Sequence, residues 1–194
     1  VKACQYIGYI SSCTFEFLYE NDEFYFIEMN TRLQVEHPVT EMITGIDIVG
    51  LQLALAGGDD LGYLMDTVPA QKGHAIECRL YAENPEKKFF PSPGPLKTFR
   101  LPSQSDGVRV DTGFVAGDSI TPFYDPMIAK IITSGEDRAD AIMRMQTALE
   151  QVHIDGIKSN LQFLKHILIH PDFTAGALDT QFIDRHQEDL IRSL

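Results

Sequence analysis

The sequence predicts an α+β fold, and three observations carry that prediction. Runs of alternating apolar and polar residues gather at 14–30, 74–82 and 96–133. Two segments with apolar residues at helical spacing, 137–152 and 161–168, close the chain. No internal repeat or low-complexity segment separates the two kinds of pattern, so helices are expected to pack on gathered strands. The 194 residues are 44% hydrophobic and 23% charged, enough for a real core and against disorder.

Residues 1–8 carry helical spacing and stop at Gly8, with no Met or basic segment before them. They read as the end of a helix cut from a longer chain. Residues 14–18 and 24–30 read as strands around the polar turn Glu20-Asn21-Asp22-Glu23. The extended run continues over 31–37 to Pro38, a helical turn over 39–44 stops at Gly45, and Asp47 caps a helix through Ala56. Residues 59–73 lack periodicity and read as a connector. In 74–82, Ile76, Cys78 and Leu80 share one face, and Ala75, Glu77, Arg79 and Tyr81 the other. Residues 91–95 form a Pro-rich turn, followed by short strands near 96–101, 107–112 and 127–133. In 137–152, Ile142, Met145, Leu149 and Val152 form one stripe, and Ser159 or Asn160 caps a last helix that stops before Pro171.

The 16 Lys and Arg stand against 28 Asp and Glu, a net charge of −12, which argues against nucleic acid or an anionic membrane as partner. The longest apolar run, Ile48 to Gly58, falls short of the about 20 residues a bilayer span requires. The three cysteines, Cys4, Cys13 and Cys78, lack metal-ligand spacing and read as reduced, buried small hydrophobes in a reducing compartment.

The chemistry-bearing residues concentrate at 24–37. If that run is extended, Glu28, Asn30, Arg32, Gln34 and Glu36 share a face, which is either a solvated sheet face or a site. Glu16, on the other arm, decides between them through the register. A three-residue loop sets Glu16 opposite Glu28, whereas a two-residue turn at Asn21-Asp22 puts them on opposite faces. Opposed carboxylates repel, and a cation between them relieves this; all-oxygen ligands favour Mg²⁺ or Mn²⁺, with Asn30 adding a neutral oxygen. Arg32 brings a planar fork for phosphate or bicarbonate oxygens, and Glu36 lies near enough to act as base. Neither a nucleophile elbow, a His-Glu-x-x-His helix nor a Walker loop occurs.

The stretch FYFIEMNTRLQVEHPVTE (24–41) resembles the signature of biotin carboxylases, the ATP-grasp components of biotin-dependent carboxylases. GHAIECRLYAE (73–83) resembles the opening of their C-terminal domain, and FFPSPG (89–94), YDPMIAK (124–130) and GIKSN (156–160) continue the match in family order. The resemblance implies the C-terminal half of an ATP-grasp fold, an antiparallel sheet with helices, over 1–58. A connector over 59–73, a biotin carboxylase C-terminal domain over 74–183 and a tail over 184–194 follow, the whole being a fragment.

It further implies that Glu16, Glu28 and Asn30 bind the metal, and that Glu16, Leu18 and Glu28 face ATP. Arg32 would hold bicarbonate in a pocket lined by Gln34 and Val35, and Glu36 would deprotonate it for attack on the γ-phosphate. Arg79 would stabilise the biotin enolate. The implied cofactors are ATP, Mg²⁺ or Mn²⁺, bicarbonate and carrier-bound biotin. The implied partners are a biotin carboxyl carrier domain, a carboxyltransferase subunit and a second copy, in the cytoplasm or a mitochondrial matrix. The glycine-rich ATP lid and phosphate-gripping lysines of the family are not in this sequence, so the chain carries half a site. Motifs at 124–130 and 178–183 (LDTQFI) lean towards an acyl-CoA carboxylase. A non-catalytic dimerisation and docking scaffold, or another ATP-grasp carboxylate ligase, are the competing readings.

Overall fold

In the computed structural model, which describes residues 1–62 and 69–191, Thr14–Glu20 (β1) and Glu23–Asn30 (β2) pair antiparallel. The turn between them has only two residues, Asn21 (φ 52°) and Asp22 (φ 64°), both left-handed. That is the twist-matched turn a two-residue hairpin requires. The ladder runs from Glu20 opposite Glu23 to Phe17 opposite Phe26, then shifts, so that Glu16 meets Glu28 and Thr14 meets Asn30. The extra residue is Ile27, a β-bulge. Both registers weighed from the sequence therefore occur in one hairpin, and the expected three-residue loop is replaced by a tight turn plus a bulge.

β2 stops at Asn30, and 31–36 is irregular rather than extended. The residue before proline disfavours helix, yet a helix already starts at His37 and runs to Thr44 (α2), with Pro38 in its first turn and left-handed Gly45 closing it. Asp47 caps Ile48–Ala56 (α3) by accepting the Gly50 N–H at 2.7 Å. Buried Glu41 accepts the Ile48 N–H at 2.7 Å, so a second carboxylate serves the positive end of that helix. These elements and the short helix Lys2–Ile7 (α1) form one unit, Val1–Gln71. The connector expected at 59–73 lies partly, over 63–68, outside the described residues.

The second unit begins at Lys72. Its strands are His74–Tyr81 (β3), Glu83–Asn84 (β4), Phe90–Pro91 (β5), Gly94–Pro95 (β6), Thr98–Arg100 (β7), Val108–Asp111 (β8), Ser119–Ile120 (β9), Met127–Gly135 (β10) and His153–Asp155 (β11). β10 is the centre of a three-stranded antiparallel sheet, with β3 on one side and β8 on the other. The pairs β4–β5, β6–β9 and β7–β11 are short antiparallel ladders.

Asp137 caps Arg138–Glu150 (α4) by accepting the Asp140 N–H. The expected stripe is buried: Ile142, Met145, Leu149 and Val152 pack with Ile76, Cys78 and Leu80 of β3 in one core. Each such side chain contributes about 1.5–3 kcal/mol on leaving water. Buried Thr133 donates to the Ala141 carbonyl at 2.9 Å, so the sheet-to-helix contact leaves no orphan hydroxyl there. Gly156 takes φ 102°, and a Cβ there would stand 2.1 Å from the Pro95 carbonyl oxygen, so only glycine fits this crossing of β11 past β6.

Asn160 starts Leu161–Ile169 (α5), but its side chain caps nothing in that helix. It accepts the Tyr81 N–H at 2.9 Å and donates to the Arg79 carbonyl at 3.1 Å, fastening the start of α5 to β3. Pro171–Ala175 (α6) and Phe182–Ile191 (α7) follow. The tail expected from 184 is thus a correction: Phe182 and Leu190 are buried against Phe163, and the segment is a docked helix as far as Ile191. Residues 192–194 lie outside the described residues. Among the described residues no single helix is long and apolar enough to cross a membrane.

Candidate functional site

The bulge at Ile27 builds the candidate site in the first unit by holding Glu16 and Glu28 directly opposite. Glu16 is half-buried and Glu28 exposed. One amide serves both: Asn30 Nδ2 donates to Glu16 Oε1 at 2.7 Å and to Glu28 Oε1 at 3.2 Å. Gln34 Nε2 donates to the same Glu16 oxygen at 2.8 Å. Two opposed carboxylates thus recruit amide hydrogens, which offset part of their repulsion.

The Asn30 nitrogen, rather than the expected oxygen, faces the carboxylates. Turning the amide over would give an all-oxygen set of two carboxylates and a carbonyl, a donor chemistry suited to Mg²⁺ or Mn²⁺. The residues present fit a hard divalent ion.

The remaining predicted residues do not follow the alternation assumed for them. Because β2 ends at Asn30, Arg32, Gln34 and Glu36 are set by a loop. Exposed Arg32 donates from Nη1 to the Leu33 carbonyl at 3.3 Å, which leaves most of its five N–H groups for other acceptors. Gln34 returns to Glu16, and the Gln34 carbonyl lies 2.7 Å from His37 Nδ1, so His37 holds the loop in place. Val35 is half-buried. Exposed Glu36 occupies the N-cap position of α2. Leu18 is 58% exposed on the far arm of the hairpin, two residues from Glu16.

Arg79 belongs to the second unit, on the face of β3 turned from the core. Its Nε lies 3.4 Å from Glu77 Oε1. Directly across the ladder stands Lys130, and beyond it Asp111, so one rung reads Arg79, Lys130, Asp111 across three strands. Opposed cations repel, and the rung carries its own acids. Asp111 lies 3.4 Å from Lys130 Nζ and accepts two hydrogen bonds from Arg109, at 2.8 and 2.9 Å. Burial would raise the Asp111 carboxyl, but Arg109 and Lys130 outweigh it and hold the group below the usual carboxylate range. The sequence pattern marks Arg79 for chemistry and Lys130 for packing or pairing, and does not group them with Asp111. Their grouping depends on strand pairing between distant segments, which local periodicity does not record.

Residues 77–185, more than half the chain, match the family described as Biotin carboxylase C-terminal domain. Residues 1–64 match the Carbamoyl-phosphate synthase L chain, ATP binding domain. A Biotin carboxylase of Halalkalibacterium halodurans is 50% identical over 187 residues, covering 96% of this chain and 41% of that protein. The mitochondrial Methylcrotonoyl-CoA carboxylase subunit alpha of Mus musculus is 44% identical over 194 residues, 100% of this chain and 27% of that protein.

Among solved structures, the biotin carboxylase subunit of a pyruvate carboxylase superposes with TM-score 0.92 at 43% identity, covering 97% of this chain and 42% of that one. The biotin carboxylase domain dimer of Hydrogenobacter thermophilus 2-oxoglutarate carboxylase, in complex with MgADP, ADP and bicarbonate, gives TM-score 0.91 at 42% identity, with coverages of 97% and 42%. The chain spans about two fifths of the length of the bacterial relative and of these structures. The two matches define the class as proteins that join an ATP-binding domain of the carbamoyl-phosphate synthase type to a biotin carboxylase C-terminal domain. Within that class, the chain belongs to the biotin carboxylase family.

Proposed function

We propose that this chain supplies the carboxylate and bicarbonate half of a biotin carboxylase site, working with MgATP to carboxylate biotin on a carrier domain. The observation that carries the reading is the pair Glu16 and Glu28, set opposite each other by a bulge and bridged by Asn30. Glu20 and Glu23 also stand opposite beside the turn, and what sets Glu16 and Glu28 apart is the Asn30 amide that bridges them.

Glu16, Glu28 and Asn30 would hold the divalent ion, which supplies positive charge against the nucleotide phosphates. Leu18 and the two carboxylates would face the nucleotide. Arg32 positions bicarbonate, with Gln34 and Val35 beside it, and solved bicarbonate complexes of the 2-oxoglutarate carboxylase biotin carboxylase domain support that substrate. Glu36 takes the bicarbonate proton, the oxyanion attacks the γ-phosphate and ADP leaves. The resulting carboxyphosphate breaks to CO₂ and phosphate. The phosphate removes the biotin N–H proton, Arg79 stabilises the enolate and the nitrogen bonds to CO₂.

The carrier domain, a carboxyltransferase subunit and a second copy of the parent are the expected partners, and the dimeric relative supports the last. The motifs at 124–130 and 178–183 lean towards an acyl-CoA acceptor, which a separate carboxyltransferase would select. The place of work is the cytoplasm or, as for the mouse relative, a mitochondrion.

The test is bicarbonate- and biotin-dependent ADP release from MgATP by the chain mixed with a separately expressed N-terminal half of a biotin carboxylase. Activity in the mixture that Glu28→Gln and Glu36→Gln each reduce by at least tenfold supports the assignment. Undiminished turnover in both variants overturns it. Arg79→Ala should spare bicarbonate-dependent ATP cleavage and abolish biotin carboxylation.

A further inference from the structure

The second unit holds a cluster that the carboxylation chemistry does not use. His170 lies between α5 and α6, Asp172 in the first turn of α6, and His186 in α7. Each offers one ligand atom, all within 4.8 Å of one another, and all three residues are half-buried. We propose that His170, Asp172 and His186 bind a transition-metal ion of the zinc class, which staples α6 to α7.

The contact between His186 and Asp172 points to an ion more than to a hydrogen bond. His186 Nε2 stands 3.1 Å from Asp172 Oδ2, yet it is buried and makes no hydrogen bond. Two ligands on neighbouring corners of a tetrahedral zinc site, each about 2.0–2.1 Å from the metal, stand roughly 3.3 Å apart. The separation suits two atoms that share an ion. The imidazoles of His170 and His186 lie with ring centroids 4.2 Å apart, tilted by 51°. Phe182 packs on both, at 5.2 and 5.1 Å, and gives the cluster an apolar wall.

His170 Nδ1 caps α6 by accepting a long bond of 3.2 Å from the Asp172 N–H. An ion would take over the lone pair that accepts it. The neighbouring charges are Asp179 and Arg185, paired with each other at 2.7 and 2.8 Å. Arg138, which donates to the Phe173 carbonyl at 2.6 Å, is a further charge beside α6. Two imidazoles and one carboxylate select Zn²⁺, Co²⁺ or Ni²⁺ over Mg²⁺, and the set leaves a corner for water.

The experiment is Co²⁺ titration of the 194-residue chain, read by visible absorption and followed by displacement with Zn²⁺. It is run on a Cys4→Ser, Cys13→Ser background, since the two thiols are in contact at 3.5 Å and would compete for a soft ion. One equivalent of Co²⁺ with a low-symmetry visible band is expected, together with a rise of several degrees in Tm on adding Zn²⁺, and Mg²⁺ should leave the band in place. His186→Gln and His170→Gln should each remove the band. Asp172→Asn should weaken binding at least tenfold while keeping the fold, checked by circular dichroism. A Glu16→Gln, Glu28→Gln double variant should keep the visible Co²⁺ band, which separates this site from the hairpin carboxylates. Absence of stoichiometric binding, or a band that survives both histidine variants, overturns the proposal.

Discussion

Glu16 faces Glu28 because Ile27 drops out of the ladder between them and the turn. With the two-residue turn alone, Glu16 would oppose Ile27, and Glu28 would stand on the other face. The turn and the bulge are therefore coupled features: the first sets the twist, and the second restores the register the carboxylates need.

Asp22→Gly tests the turn half of that coupling. Asp22 sits at φ 64°, a conformation glycine adopts without the Cβ clash, although it also accepts the Tyr19 hydroxyl at 2.6 Å. The substitution should stabilise the hairpin by about 0.5–1 kcal/mol and leave the Glu16–Glu28 pairing intact, because the loop keeps its length. Slower amide exchange along β1 and β2 is the expected readout, and faster exchange would contradict it.

Asn160→Ala should cost about 2–4 kcal/mol in chemical denaturation. It leaves the Tyr81 N–H and the Arg79 carbonyl without their side-chain partners at a position 6% exposed. A loss below about 0.5 kcal/mol would show that the clamp on β3 contributes nothing net.

The lowered Asp111 carboxyl gives the fold an acid-side dependence. Its contribution is fully present above the unfolded value of about 4 and is lost as pH falls through the lower folded value. Asp111→Asn should therefore flatten the decline of stability below about pH 4. Parallel acid limbs for the two proteins would contradict the assignment to Arg109 and Lys130.

Cys78 should be silent to thiol reagents at pH 8. Burial, with Glu77 adding to it, pushes its thiol up to about 12, so almost no thiolate exists in the folded chain. Cys4 and Cys13 are half-buried and should label slowly, since burial and the Cys4 contact raise Cys13 as well. Denaturant should release Cys78 to rapid labelling; labelling of Cys78 in the native chain would contradict its burial.

Much of this architecture was legible because it repeats locally. The alternation at Ile76, Cys78 and Leu80, the α4 stripe, and Asp47 before α3 each record a period or a cap. The bulge at Ile27 was not legible, since Phe26 and Ile27 are both apolar and an extra residue between apolar neighbours leaves no mark on the pattern. The irregular path of 31–36 was missed for a related reason: His37 and Pro38 open a helix where proline suggested that extended chain would continue. Helix α7 read as a tail because Phe182 and Leu190 are its main buried anchors, with charged residues filling the turns between. The opposition of Glu16 and Glu28 was legible as a condition on register. Only the backbone could show how that condition is met.

The central place of β10 has a consequence for how the second unit comes to fold. β3 and β8 are made first, yet neither pairs with the other, and both await a strand that ends at Gly135. During synthesis the edges of β3 therefore stay open until β10 has left the ribosome, and the loop that must close to pair them is long. Such non-local pairing slows folding and leaves bare strand edges for other chains to find. Truncations that end before residue 127 should accordingly aggregate rather than fold, whatever residues they retain upstream.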